Sequence, residues 1–155
     1  MYMGKKALKK SVEQLQQLFD FLGEYGGSIE TNNPGIWWTL DLEVECVYDE
    51  KKDILIGVFN TVNGDIMFDP QVKLTLTMKD GKIEEADIIE YSNTTIVGTS
   101  VVDAEGYIHM NGIKEKYPKG LRSLFEGFMD NMVEVGPYLK EPKNVIKYDK
   151  TLEDD

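Results

Sequence analysis

Carboxylates dominate the groups in this 155-residue chain that could do chemistry. Asp41, Glu43 and Glu45 alternate with Leu40, Leu42, Val44 and Cys46. In an extended strand such residues share one face, with neighbours about 6.6–7 Å apart. A row of this kind offers hard oxygen ligands to Mg²⁺ or Ca²⁺ only when another element closes the coordination sphere, because side chains on an open strand diverge into water. A solvated strand face is therefore favoured over a metal site. Asp65 and Asp69, four residues apart beside Asn63-Gly64, form a second pair. Two carboxyls in unlike environments can divide acid and base roles, and with a metal held by Asp41 or Glu43 they would make a hydrolase. The local reading is preferred: Asp65 closes a turn, and Asp69 before Pro70 bonds backbone amides.

His109 and Cys46 are the only histidine and the only cysteine. A general base needs a nucleophile or substrate beside it, and the sequence offers His109 none, so it reads as a strand histidine at the sheet surface. Cys46 continues the apolar alternation from Trp38 to Val44 with no basic neighbour to lower its pKa, and reads as a small buried hydrophobe. One of each leaves no intrachain disulfide and no thiolate–imidazole zinc cluster. No phosphate-binding glycine loop, nucleophile elbow or paired-histidine zinc motif occurs. These residues assign no catalytic group, no metal and no cofactor.

The elements that must position them follow from periodicity. Leu8, Val12, Leu15, Phe19 and Leu22 recur at helical spacing and predict a helix over 5–25, ended by Gly26-Gly27. After Asn32-Asn33-Pro34-Gly35 the pattern turns to alternation and predicts antiparallel strands over 36–112. Asn63-Gly64 between apolar runs predicts a hairpin, and Asp69-Pro70 is expected to stop it. Helical period returns over 118–136, and 138–155 reads as an extended tail. The expected fold is one α+β domain over 1–155, an antiparallel sheet of about six strands with an N-terminal and a C-terminal helix packed on one face.

Charge narrows the partners. With 28 Asp and Glu against 17 Lys and Arg the net charge is −11, and Arg122 is the only arginine. Such a field repels phosphates, which argues against nucleic acid. The longest apolar run, Ile54 to Phe59, is far too short to span a bilayer, and no signal-peptide core is present. The expectation is a soluble cytoplasmic protein with no membrane partner. Phe125, Phe128 and Met132 could line a ligand pocket between the last helix and the sheet, while Trp37, facing away from Trp38, could anchor a partner. If Val72 to Met78 formed an exposed sheet edge, it would favour a homodimer.

Asn33-Pro34-Gly35 followed by Leu40-Asp41-Leu42-Glu43, and Ile56-Gly57-Val58-Phe59 leading into Asn63-Gly64-Asp65-Ile66-Met67-Phe68-Asp69-Pro70, resemble a small uncharacterised bacterial domain family. That family occurs in gut bacteria, their mobile elements and prophages. Its signature is an N-P-G-like turn, a strand and an N-G-D-x-M-x-D-P hairpin, and the resemblance covers Lys6 to Gly81. Where such families often carry an aromatic, histidine-rich strand before the hairpin, this chain has Val58-Phe59-Asn60-Thr61. The resemblance implies fold, bacterial origin and accessory status, and no assigned activity.

Together these features lead to a non-enzymatic accessory domain. It would bind a basic protein through an acidic sheet face and the hairpin residues Asn63, Gly64, Asp65 and Asp69, with Trp37 as anchor. The alternative is a small-ligand module using Phe125, Phe128 and Met132.

Overall fold

Residues of alternating polarity can bury one face of a sheet while wetting the other, and most of this chain is built that way. The computed structural model describes residues 5–36, 38–62, 64–95, 98–130 and 137–153. The elements are β1 (Lys5–Lys6), α1 (Lys9–Leu22), β2 (Gly26–Thr31), β3 (Thr39–Tyr48), β4 (Lys51–Val62), β5 (Asp65–Lys79), β6 (Lys82–Thr95), β7 (Gly98–Asp103), β8 (Tyr107–Met110), β9 (Ile113–Lys116), α2 (Leu121–Phe128), α3 (Pro137–Lys140) and β10 (Pro142–Lys147). Strands β2 to β9 form a meander in chain order, and β10 returns to pair with β2. β1 pairs with the early part of β6 through Lys5 and Lys6, while β7 pairs with its later part.

This corrects the α+β expectation of about six strands and two helices. Strands hold 57% of the residues and helices 20%, in a single ten-stranded antiparallel sheet with few, short helices. The unforeseen strands are those without an apolar face of their own. β2 opens Gly-Gly-Ser, β9 is exposed throughout, and β10 sets Val145 beside Ile146 with no two-residue period. Pairing to a neighbour holds these strands, and pairing leaves no periodic mark in sequence. β5 is an interior strand between β4 and β6, so Val72 to Met78 is not an edge; the ordered path ends at β10 and β9. β5 also runs through Asp69-Pro70 instead of stopping there, with a register shift opposite, between Gly57 and Phe59.

The first helix is shorter than its apolar stripe suggests, ending at Gly23 with φ +104°, and Gly26-Gly27 belong to β2. The expected second helix appears as α2; residues 131–136 lie outside the described residues. No helix among the described residues is long and apolar enough to cross a membrane.

The three helices among the described residues cover the same face. Leu40, Leu42, Val44, Ile54, Ile56, Val58, Val72, Leu74, Leu76 and Ile88 form one buried cluster with Leu15, Leu18 and Phe19 of α1, Phe125 of α2 and Tyr138 of α3. Each such side chain contributes roughly 1.5–3 kcal/mol when fully buried. Tyr138 ties α3 to the chain before β3 by donating its hydroxyl to the carbonyl of Trp38 at 2.9 Å.

Close strand approach depends on Gly57. A Cβ there would sit 2.4 Å from the Pro70 carbonyl oxygen and 3.0 Å from the Gln71 Cα, both backbone atoms. Gly57→Ala is expected to cost about 1–3 kcal/mol, as overpacking does where neighbours cannot yield. The measurement is the urea midpoint, and an unchanged value would mean that β4 and β5 have room to separate.

Candidate functional site

The face without helices is assembled by strand register. One row runs Ser28, Asp41, Gly57, Gln71, Ser92, Val101, His109, Lys114 from β2 to β9. The next runs Glu43, Leu55, Lys73, Glu90, Asp103 from β3 to β7, and Tyr107 pairs with Lys116 further on. Asp53, Thr75 and Asp87 make a third, and Lys51, Thr77 and Glu85 a fourth. Carboxylates outnumber lysines across the centre of this face. Lys73 reaches Glu45 at 3.6 Å, beyond hydrogen-bond range, and Lys6 pairs with Glu85 at 2.6 Å.

Asp41 is the most enclosed charged side chain of the face, only 3% exposed. Burial pushes its carboxyl up to about 8, and a hydrogen bond with Glu43 together with that neighbour's charge adds to the shift. The Tyr148 hydroxyl donates to Asp41 and pulls the other way, while the phenol itself is driven well above its ordinary range by burial and by Asp41. At neutral pH Asp41 is thus a carboxylic acid, neutral as its burial demands.

Tyr148 arrives because the chain beyond β10 stays on the sheet. Its backbone N–H bonds to Gly26, and the N–H groups of Leu152 and Glu153 bond to the carbonyls of Val44 and Glu45. Glu43, Tyr148 and Lys150 border a cleft of about 430 Å³ between this segment and β3.

Bulge geometry explains Cys46. A register shift between Val44 and Cys46 sets Glu45 and Cys46 against one residue of β4, Asp53. Cys46 therefore leaves the apolar alternation expected for it and joins the open face. Asp53 accepts bonds from Thr75 Oγ1 at 2.8 Å, from the Tyr48 hydroxyl at 2.9 Å and from Cys46 Sγ at 3.5 Å. Burial and Asp53 push the thiol up to about 11, so it is not a nucleophile at neutral pH.

His109 has a partner that its sequence neighbours do not show. Its Nε2 lies 2.7 Å from Asp103 Oδ2. Burial opposes ionisation of Asp103, but bonds from His109 and from the amides of Tyr107 and Glu105 hold its carboxyl below the ordinary range. No serine, threonine or cysteine side chain is hydrogen-bonded to His109 among the described residues. Nor do the described residues include a group of three or more His, Cys, Asp and Glu that could hold a metal ion.

The hairpin residues lie elsewhere. Val62 pairs with Asp65, so two residues connect β4 and β5, and Gly64 has φ +85°. Asp65 is exposed near this tip, roughly 17 Å along the strands from the Asp41–Gly57 pair at about 3.3 Å per residue. Asp69 borders a different cleft, shared with Phe128. Phe125 is wholly buried in the core. Trp37, Asn63 and Met132 lie outside the described residues.

Tyr148, Ser28, Asp53 and Glu90 escape sequence reasoning, since Tyr148 and Asp41 are 107 residues apart and only the return of β10 joins them. No family model, curated protein or solved structure matches this chain.

An acid whose folded pKa lies above its unfolded value, about 3.9, weakens the fold as pH rises between the two, because only the folded state keeps the proton. Stability of the wild type is therefore expected to fall relative to Asp41→Asn from about pH 4 to about pH 8, by on the order of a few kcal/mol, and to run parallel above that. Denaturant melts at about pH 5, 7 and 9 test this; a constant gap would mean that Asp41 is ionised at neutral pH.

Proposed function

We propose that this chain is a non-enzymatic accessory domain that binds a basic protein on the open face of its sheet. The observation that carries the reading is asymmetry. Among the described residues every helix lies on one side, and the other side presents Glu43, Glu45, Asp53, Glu90 and Asp103 on four strands, β3, β4, β6 and β7. A surface of this kind attracts and orients a cationic partner. Asp65, at the exposed hairpin end, extends the same charge, and Trp37 is the anchor suggested by sequence. The high pKa of Cys46 supports a binding role over one as a thiolate nucleophile. Cytoplasmic residence and a mobile-element setting, where basic nucleases and DNA-binding factors are at hand, complete the proposal.

A second reading, a small-ligand module, is favoured by the cleft beside Phe128.

The test compares wild type, a Glu43→Gln, Glu45→Gln, Glu90→Gln variant and a helix-side control of equal charge change, Glu13→Gln, Asp20→Asn, Glu126→Gln. Each is used to capture proteins from the cells that produce it, with cross-links mapped by mass spectrometry. Basic proteins should cross-link to the open face and be lost at least about tenfold in the first variant and at about 0.5 M salt, but not in the control. Equal capture by the two variants, or cross-links confined to the helix side, would overturn the proposal.

A further inference from the structure

On the helix side of the sheet, near the jog of β5 at Asp69-Pro70, Tyr91 of β6 and the outer side of α2 border an open cleft of about 360 Å³. That volume is in the range that small molecules occupy. Four polar side chains line it: Asp69, Tyr91, Lys119 and Ser123. Leu124 and Phe128 supply apolar walls.

Gly127 of α2 also lines it, and a Cβ there would meet nothing within 4 Å. What separates the cleft from an accidental groove is its chemistry. A carboxylate and an ammonium line one small cleft without pairing with each other; Asp69, Lys119 and Ser123 are exposed there and Tyr91 is half-buried. Burial and the Asp69 charge keep the Tyr91 phenol protonated, so it remains a donor across the physiological range.

A ligand satisfying all of these groups carries both charges and a hydrocarbon body. We propose that the cleft is a binding site for a free α-amino acid with an apolar side chain. Its carboxylate meets Lys119 and Ser123, its ammonium meets Asp69 with Tyr91 beside it, and its side chain lies on Leu124 and Phe128. The inference rests on the small-ligand reading and is independent of the open face.

The experiment is a titration of isotope-labelled protein followed by amide NMR, using four probes: L-leucine, N-acetyl-L-leucine, L-leucinamide and leucyl-leucine. Leucine is expected to give saturable shifts centred on residues 69–71, 91 and 119–128. Either capped analogue, lacking one charge, and the dipeptide, whose ammonium and carboxylate stand a residue further apart, should bind at least about tenfold more weakly. Lys119→Met and Asp69→Asn should each weaken leucine by a similar factor, and Gly127→Leu, which fills the cleft with a good helix former, should abolish binding while leaving the melting temperature no lower. Capped analogues or dipeptide binding at the cleft as well as leucine would overturn the amino-acid assignment and leave a ligand module standing. No shift at the cleft with any probe would overturn both.

Discussion

A sheet with one buried face tolerates a single register, because a slip of one residue carries every apolar side chain to the wrong side. This constraint governs the molecule. In β3 to β5 the pairs Leu42–Ile56, Ile56–Val72 and Ile54–Leu74 place buried residue against buried residue, and the helices close over that side alone. Where register shifts do occur they change what the open face contains. The shift at Val44–Cys46 brings Cys46 to Asp53, and the shift opposite Gly57–Phe59 accompanies the jog of β5 that borders the small cleft. Bulges thus act here as placement devices.

The open face solves a second problem, the presence of acids on a partly enclosed surface. Asp41 gives up its charge, whereas Asp53 spreads its contacts over a phenol, a hydroxyl and a thiol, and Asp103 uses an imidazole and two amides. Only Glu45 and Glu85 among these acids lean on lysines, in partly exposed pairs that contribute little to stability. The excess negative charge is consequently left for an external cation, which is the physical basis of the partner-binding proposal. The amino-acid cleft lies on the opposite side of the sheet, so the two proposed surfaces need not compete.

What the sequence by itself determined is the part written in periodicity and in turn chemistry. The 3.6-residue stripe of α1, the alternation of β3 to β6 and the Asn-Gly connection are local, and each reports its own face or turn. The acidity of one strand face was legible for the same reason, through Asp41 and Glu43. Tertiary structure alone decided the sheet's size and the site's composition. β1, β2, β9 and β10 have no apolar period and exist through hydrogen bonds to a neighbour, so they turned an expected α+β domain of about six strands into ten strands. The meeting of Tyr148 with Asp41 spans 107 residues, and that of Asp103 with His109 crosses a turn. Such contacts depend on which strands become neighbours, a property of the folded chain and of no single segment within it.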